Sequence, residues 1–211
     1  FLNIIELAKE KKIKKFIYAS SSSVYGENKK FPLSENQSLN PKNIYGLSKQ
    51  MNEQIASMYS KFFDLKCIGL RFFTIYGEWG RPDMFLFKLF KASQQNKKFY
   101  LNNYGNHKRD FTYVKDAVKI VLKLVNYKIV NNEIFNICSN KPIKISDIIK
   151  YFKKKNNVEV KLTEMHKADV KDTHGDNKKI KKALKRIKFG KFYRCFETTY
   201  EWYKKNNISK I

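Results

Sequence analysis

Tyr45 and Lys49 stand four residues apart in Asn43-Ile-Tyr-Gly-Leu-Ser-Lys49, so a helix begun here carries both on one face. A free tyrosine has a pKa of about 10 and is a poor base at neutral pH. A lysine ammonium beside it favours the phenolate, and a serine hydroxyl can orient an alcohol for deprotonation. Suitable serines lie nearby: Ser20, Ser21, Ser22 and Ser23 close a short apolar run, Lys15-Phe-Ile-Tyr-Ala19, and lead into Val24-Tyr-Gly26. Such a trio suits taking the proton from a carbinol oxygen while hydride leaves its carbon. Tyr-x-x-x-Lys alone also fits an ordinary exposed helix in a chain with 13 tyrosines. The serine cluster and the Val-Tyr-Gly exit favour chemistry.

These residues need elements to hold them. The near-continuous apolar run at 15–19 suits a buried parallel strand. Before it, residues 2–11 have a helical apolar face at Leu2, Ile5 and Ala8. After Gly26 comes a polar loop with Pro32 and Pro41. A helix then runs from about Ile44 to Phe62, with Ile44, Leu47, Met51, Ile55, Met58 and Phe62 as its packing stripe. A second buried strand follows over 66–73. Strand, helix, strand at this spacing is the logic of a doubly wound sheet, whose ligands sit beyond the carboxyl ends of the strands. The serine cluster and Phe73-Thr74 both lie at such ends.

Further on, the pattern predicts a helix from Pro82, a turn into a strand over 101–114 and a helix over 116–125. A short strand over 133–138, basic amphipathic helices over 145–155 and 177–188, and a last helix with Trp202 and Tyr203 complete the chain. No repeat or flexible linker divides it. The fold expected is α/β: the C-terminal part of a Rossmann-like doubly wound parallel sheet with a smaller mixed α/β substrate-binding lobe. Residues 1–73 belong to the sheet domain, 111–140 return to it, and 74–211 form mainly the lobe.

The 211 residues carry a formal net charge of +25. A charge of that sign fits nucleic acid or an anionic membrane, and 177–188 could serve a non-catalytic basic module. Lysines, however, are spread over the whole chain and define no footprint, and Ile180, Ala183, Leu184 and Ile187 give that segment a face to pack. No nucleic-acid partner is expected, and no apolar stretch is long enough to span a bilayer. Cys67, Cys138 and Cys195 are scattered and odd in number, which fits the reducing cytoplasm. Phe1 falls inside a helical pattern, so an upstream portion is expected.

Taken together, the serine cluster, Val-Tyr-Gly, Tyr45 and Lys49 resemble the extended short-chain dehydrogenase/reductase family of NAD-dependent nucleotide-sugar epimerases and dehydratases. The similarity runs through nearly the whole chain. Its most specific part, Leu70-Arg-Phe-Phe-Thr-Ile-Tyr-Gly-Glu-Trp-Gly-Arg-Pro-Asp-Met84, resembles the UDP-glucuronate 4-epimerase subgroup. Lys108-Arg-Asp-Phe-Thr-Tyr-Val-Lys-Asp116 and Phe135-Asn-Ile137 are similar to more widely shared motifs.

The resemblance implies NAD as cofactor, a UDP-sugar as substrate and a homodimer. It also implies roles: Tyr45 as base, Lys49 on the nicotinamide ribose, Ser21 on the reacting hydroxyl and Phe72 lining the nicotinamide pocket. Ser22, Ser23, Thr74 and Arg81 would surround a sugar carboxylate, which needs a fork of donors. Arg109 would meet the diphosphate and Asp169 the nucleotide.

The family's dehydratases carry an Asp-Glu pair just before Val-Tyr-Gly; Ser22 and Ser23 stand there, which favours an epimerase over a dehydratase. Three features depart from the family. The glycine-rich phosphate turn is absent from these residues, so the chain alone is expected to bind NAD weakly. Lys167 and Ala168 replace the Pro-Gly that normally precedes the aspartate at 169, and Asn102 stands where many relatives have a ring.

Overall fold

A computed structural model describes residues 1–165 and 170–206. In chain order the elements are α1 (Leu2–Glu10), β1 (Lys15–Ser21), α2 (Ile44–Phe63), β2 (Lys66–Phe72), β3 (Thr74–Tyr76), α3 (Phe85–Gln94) and β4 (Phe99–Leu101). There follow β5 (Lys108–Tyr113), α4 (Val114–Val125), β6 (Asn132–Ile137), β7 (Pro142–Lys144), α5 (Ile145–Lys153), β8 (Val160–Leu162), α6 (Lys178–Ala183) and α7 (Phe192–Lys205).

Strands β1, β2 and β6 form a parallel sheet in that order, as their apolar runs predict. The register sets Ser21 beside Phe72 and Phe72 beside Ile137, so three strands end level. Because successive strand residues face opposite sides, Cys67 and Tyr18 pack under α1 and α2, with Ile5 and Ala56. Ile68, Leu70, Phe135 and Ile137 pack on the other side, against α4 and α6. The α/β expectation holds.

Between and after these strands the chain builds smaller sheets, β3-β5-β7 and β4-β8, with α3, α5 and α7 around them. Their core is aromatic. Phe90 lies within 4.8–5.8 Å of the rings of Phe152, Phe196, Tyr200 and Tyr203. Tilted and edge-on pairs at these distances stabilise packing beyond area burial.

Three expected elements are corrected. Helix α3 begins at Phe85, not Pro82, because residues 81–84 close a turn with Met84 N–H donating to the Arg81 carbonyl (3.1 Å). Helix α6 stops at Ala183, since Leu184 leaves helical geometry and Arg186 has φ +63°. The third correction concerns the face of α2. Leu47, Met51, Met58 and Phe62 are exposed, while Gly46, Glu53 and Ala56 are buried. Small residues bring the helix close to the sheet, and a buried polar network, described below, sets its rotation.

Part of the positive charge has a structural use. Lys15 donates to the carbonyls of Leu124 (3.1 Å), Val125 (2.6 Å) and Tyr127 (2.6 Å), closing the C-terminal end of α4. Lys9, Lys12, Lys14, Lys66 and Lys128 line the same end of the sheet, where α1, α2 and α4 all finish. Cations there offset the negative ends of the helix dipoles.

Candidate active site

The site is assembled where β1 and β2 end. Ser21 caps a short turn over 22–25, its Oγ accepting from Ser23 N–H (3.1 Å) and donating to Ser23 Oγ (3.1 Å). Gly26 leaves this turn at φ +61°, where an added Cβ would sit 1.7 Å from the Asn40 carbonyl oxygen. Asn43 caps α2 by accepting from Gly46 N–H (2.8 Å). A Cβ on Gly46 would lie 2.6 Å from the Ser23 carbonyl oxygen, so only glycine lets the first turn of α2 rest on the serine turn.

That contact sets Tyr45 and Lys49 above the strand ends. Tyr45 is 51 % exposed, its ring open to solvent. The Lys49 ammonium lies 5.7 Å from the Tyr45 ring centroid and donates to the Ala19 carbonyl (3.1 Å). Lysine charge, phenol and the Ser21–Ser23 hydroxyls thus gather at the β1 end and the adjoining first turn of α2.

Sequence reasoning missed what fixes this arrangement from beneath. Glu53 continues the four-residue spacing of Tyr45 and Lys49, and it is buried. Its carboxylate accepts from Ser20 Oγ (2.5 Å), Arg71 Nε (2.9 Å) and Arg71 Nη2 (2.7 Å). Arg71 Nη1 donates to the Tyr25 hydroxyl (2.9 Å), which donates to Asn136 Oδ1 (2.7 Å). Burial opposes the Arg71 charge, but the Glu53 carboxylate and Tyr25 outweigh it and raise its pKa. Burial pushes the Tyr25 hydroxyl up to about 12, so it stays protonated. The signals were available: an acid at the third position of the Tyr-Lys face, and an arginine inside an apolar strand.

Thr74, Arg81 and Arg109 come from the segments after β2 and from β5; Thr74 and Arg109 line a cavity whose described lining includes neither Arg81 nor Ser21, Tyr45 and Lys49. Arg81 presents Nε (3.0 Å) and Nη2 to the two oxygens of Asp83, and that hydrogen-bonded carboxylate raises the Arg81 pKa. Thr74, Asp83 and Arg109 line a cavity of about 760 Å³ together with Lys88, Lys91 and His107. The Arg109 guanidinium donates to the carbonyls of Lys108, Val170 and Lys171 at 2.6–3.0 Å. Arg109 and Asp110 are neighbours on β5, and their side chains take opposite sides of the strand. Asp110 points inward and accepts from Ser139 N–H, Ser139 Oγ, Asn140 N–H and Gly175 N–H. Burial raises its pKa, with those donors pulling the other way.

Phe72 is half-buried against the core on the α4 side of the sheet, beside Ser21 in register. Ser22 and Ser23 are half-buried in the turn. Asp169 lies outside the described residues. Chemically, the arrangement offers a phenol beside an ammonium at Tyr45 and, separately, a cavity lined by four lysines and Arg109 that can hold an anionic ligand.

Comparison with known proteins gives the family and the fold. The model of the NAD dependent epimerase/dehydratase family matches residues 1–138, more than half of the chain. The chain belongs to that family. Uncharacterized protein MJ1055 of Methanocaldococcus jannaschii is 44 % identical over 188 residues, covering 87 % of this chain and 57 % of its own length. UDP-glucuronate 4-epimerase 4 of Arabidopsis thaliana is 34 % identical over 196 residues, covering 83 % of this chain and 45 % of its own length. The chain therefore spans about half the length of these relatives. Among solved structures, UDP-glucuronic acid 4-epimerase from Bacillus cereus in complex with UDP-glucuronic acid and NAD superposes with TM-score 0.91 and 29 % identity. That match covers 96 % of this chain and 65 % of the other.

In this epimerase-family chain no described helix is long and apolar enough to cross a membrane. The end of β1 supplies the serine turn, α2 supplies Tyr45 and Lys49, and the smaller sheets and α3 supply most of the cavity wall.

Proposed function

We propose that these residues form the catalytic and sugar-binding part of an NAD-dependent 4-epimerase that interconverts UDP-glucuronate and UDP-galacturonate. The observation that carries the reading is the exposed Tyr45 phenol sharing a face with the Lys49 ammonium above the serine turn, with an exposed Arg81 fork in the turn after β3. Ser22 and Ser23, standing where a dehydratase needs its acid pair, favour epimerisation over elimination.

In this reading Tyr45 takes the proton of the sugar 4-hydroxyl while Ser21 orients that hydroxyl. NAD, when bound, would supply reversible hydride acceptance at C4. Tyr45 gives the proton back to the oxygen once the keto sugar has turned to show its other face. Lys49 suits a nicotinamide ribose because its ammonium, one N–H on Ala19, keeps others for ribose hydroxyls on the open face beside Tyr45. Phe72 would line that end of the cofactor pocket. Ser22, Ser23, Thr74 and Arg81 meet the sugar carboxylate, Arg109 the diphosphate and Asp169 the nucleotide. The basic cavity is of a size for a nucleotide diphosphate. Three buried free cysteines fit a cytoplasmic protein.

Arg81→Ala tests the carboxylate assignment. An unpaired carboxylate in a closed site is costly. The exposed Arg81–Asp83 pair is worth at most about 1 kcal/mol, whereas removing one partner of a charge pair desolvated by bound ligand costs about 2–5 kcal/mol. The variant is therefore expected to weaken UDP-glucuronate strongly and UDP-glucose little, by calorimetric titration. Equal losses would leave only a generic nucleotide-sugar epimerase.

The same reading includes a homodimer. Leu2, Ile4 and Leu7 of α1 and Leu47, Met51, Met58 and Phe62 of α2 are exposed, giving apolar helix faces that a second copy can cover. Sedimentation at high protein concentration should show the dimer. A monomer there argues against it.

A further inference from the structure

The Arg81 fork already holds a carboxylate. Asp83 accepts from Nε at 3.0 Å and from Nη2, which is the two-bond geometry a sugar carboxylate would use. Both side chains remain open to solvent, at 71 % and 58 % exposure, so the pair can exchange partners at little cost. Asp83 also faces the ligand space: it is the sole acid among the described residues lining the 760 Å³ cavity, against Lys88, Lys91, Lys97, Lys98 and Arg109. Arg81 holds the Asp83 carboxyl below the usual carboxylate range, so at neutral pH it is charged.

We infer that Asp83 is a specificity-determining residue that competes with the substrate carboxylate for Arg81. The inference rests on the reading that Arg81 receives that carboxylate. A uronate must displace Asp83, exchanging one carboxylate for another in the same fork. A neutral sugar leaves the Arg81–Asp83 pair intact and loses nothing. Asp83 therefore narrows the preference for charged sugars below what Arg81 alone would give, and it keeps the guanidinium paired when no uronate is present.

Calorimetric titration of this chain with UDP-glucuronate and UDP-glucose, for the parent, Asp83→Asn and Arg81→Ala, tests the idea. Asp83→Asn is expected to bind UDP-glucuronate about fivefold more tightly and UDP-glucose unchanged. The gain should shrink as salt is raised, because both partners are exposed. Equal tightening for both sugars would show only that a negative charge had left the cavity. Weaker binding of UDP-glucuronate would make Asp83 a support that holds Arg81 in place. Either result overturns the inference. Arg81→Ala separates the two levels. If it loses UDP-glucuronate selectively while Asp83→Asn changes nothing, the competition alone is wrong. If it weakens both sugars equally, or if the parent binds neither, the carboxylate reading falls and the inference falls with it.

Discussion

Tyr45→Phe is expected to lower the rate of hydride transfer by about 100- to 10,000-fold in the full-length enzyme while leaving UDP-sugar affinity close to that of the parent. The substitution removes one oxygen from a half-exposed ring, so neither the fold nor the cavity walls should change. Without the phenol, no described side chain at the strand ends is a comparable base: Ser21 and Ser23 are bonded to each other, and Lys49 is a cation on the Ala19 carbonyl. The loss should therefore lie in kcat, with KM nearly constant, because the proton moves only on the way to the transition state. Single-turnover reduction of NAD with titration of the UDP-sugar separates the two quantities. A variant that keeps its rate, or that loses binding in proportion, would remove Tyr45 as the base.

Glu53→Ala is expected to be the most destabilising of the substitutions considered, at about 3–5 kcal/mol, because it strands a buried arginine. Arg71 and Glu53 are 5 % and 8 % exposed at their side chains. Truncation leaves two guanidinium donors and the Ser20 hydroxyl without partners, with no solvent to replace them. For a chain of this size the loss corresponds to a fall in Tm of roughly 10 °C. Glu53→Gln keeps an acceptor and should lose less. The double change Glu53→Leu with Arg71→Met should recover much of the loss, since replacing a whole buried pair by apolar groups is close to neutral. Thermal unfolding of the three variants decides the matter. A single substitution as mild as a surface change would mean that the pair is a minor part of the anchoring of α2.

These two outcomes draw on different kinds of information. The sheet strands and most helices were legible because apolar runs and helical spacing act over a few residues. Four-residue spacing put Tyr45 and Lys49 on one face, and the hydroxyl run placed Ser21 at a strand end. Hydrophobic periodicity does not say what a face will meet. The stripe of Leu47, Met51, Met58 and Phe62 reads like a core face, yet it lies outside. Burying the Glu53 carboxylate against Arg71 and Ser20 rotates α2 the other way. Arg109 and Asp110 look like a surface pair because they are adjacent, but successive strand residues point to opposite sides. One reaches the cavity, and the other is enclosed by Ser139, Asn140 and Gly175.

The amino-acid order by itself determined the α/β class, the family resemblance and the chemical types available: a phenol, an ammonium, a serine cluster and several arginines. Each of those depends on near neighbours in the chain or on residue identity. Tertiary structure alone decided the Glu53–Arg71–Tyr25–Asn136 network, whose partners are 18 to 111 positions apart, and that Arg109 lines the cavity while Arg71 is buried beneath α2. Strand order and helix rotation bring such residues together, and both are settled by the packing of the whole sheet. The Arg81–Asp83 pair belongs with these despite its short spacing: the turn over 81–84 lets the two side chains meet, and the cavity beside them gives the meeting a consequence.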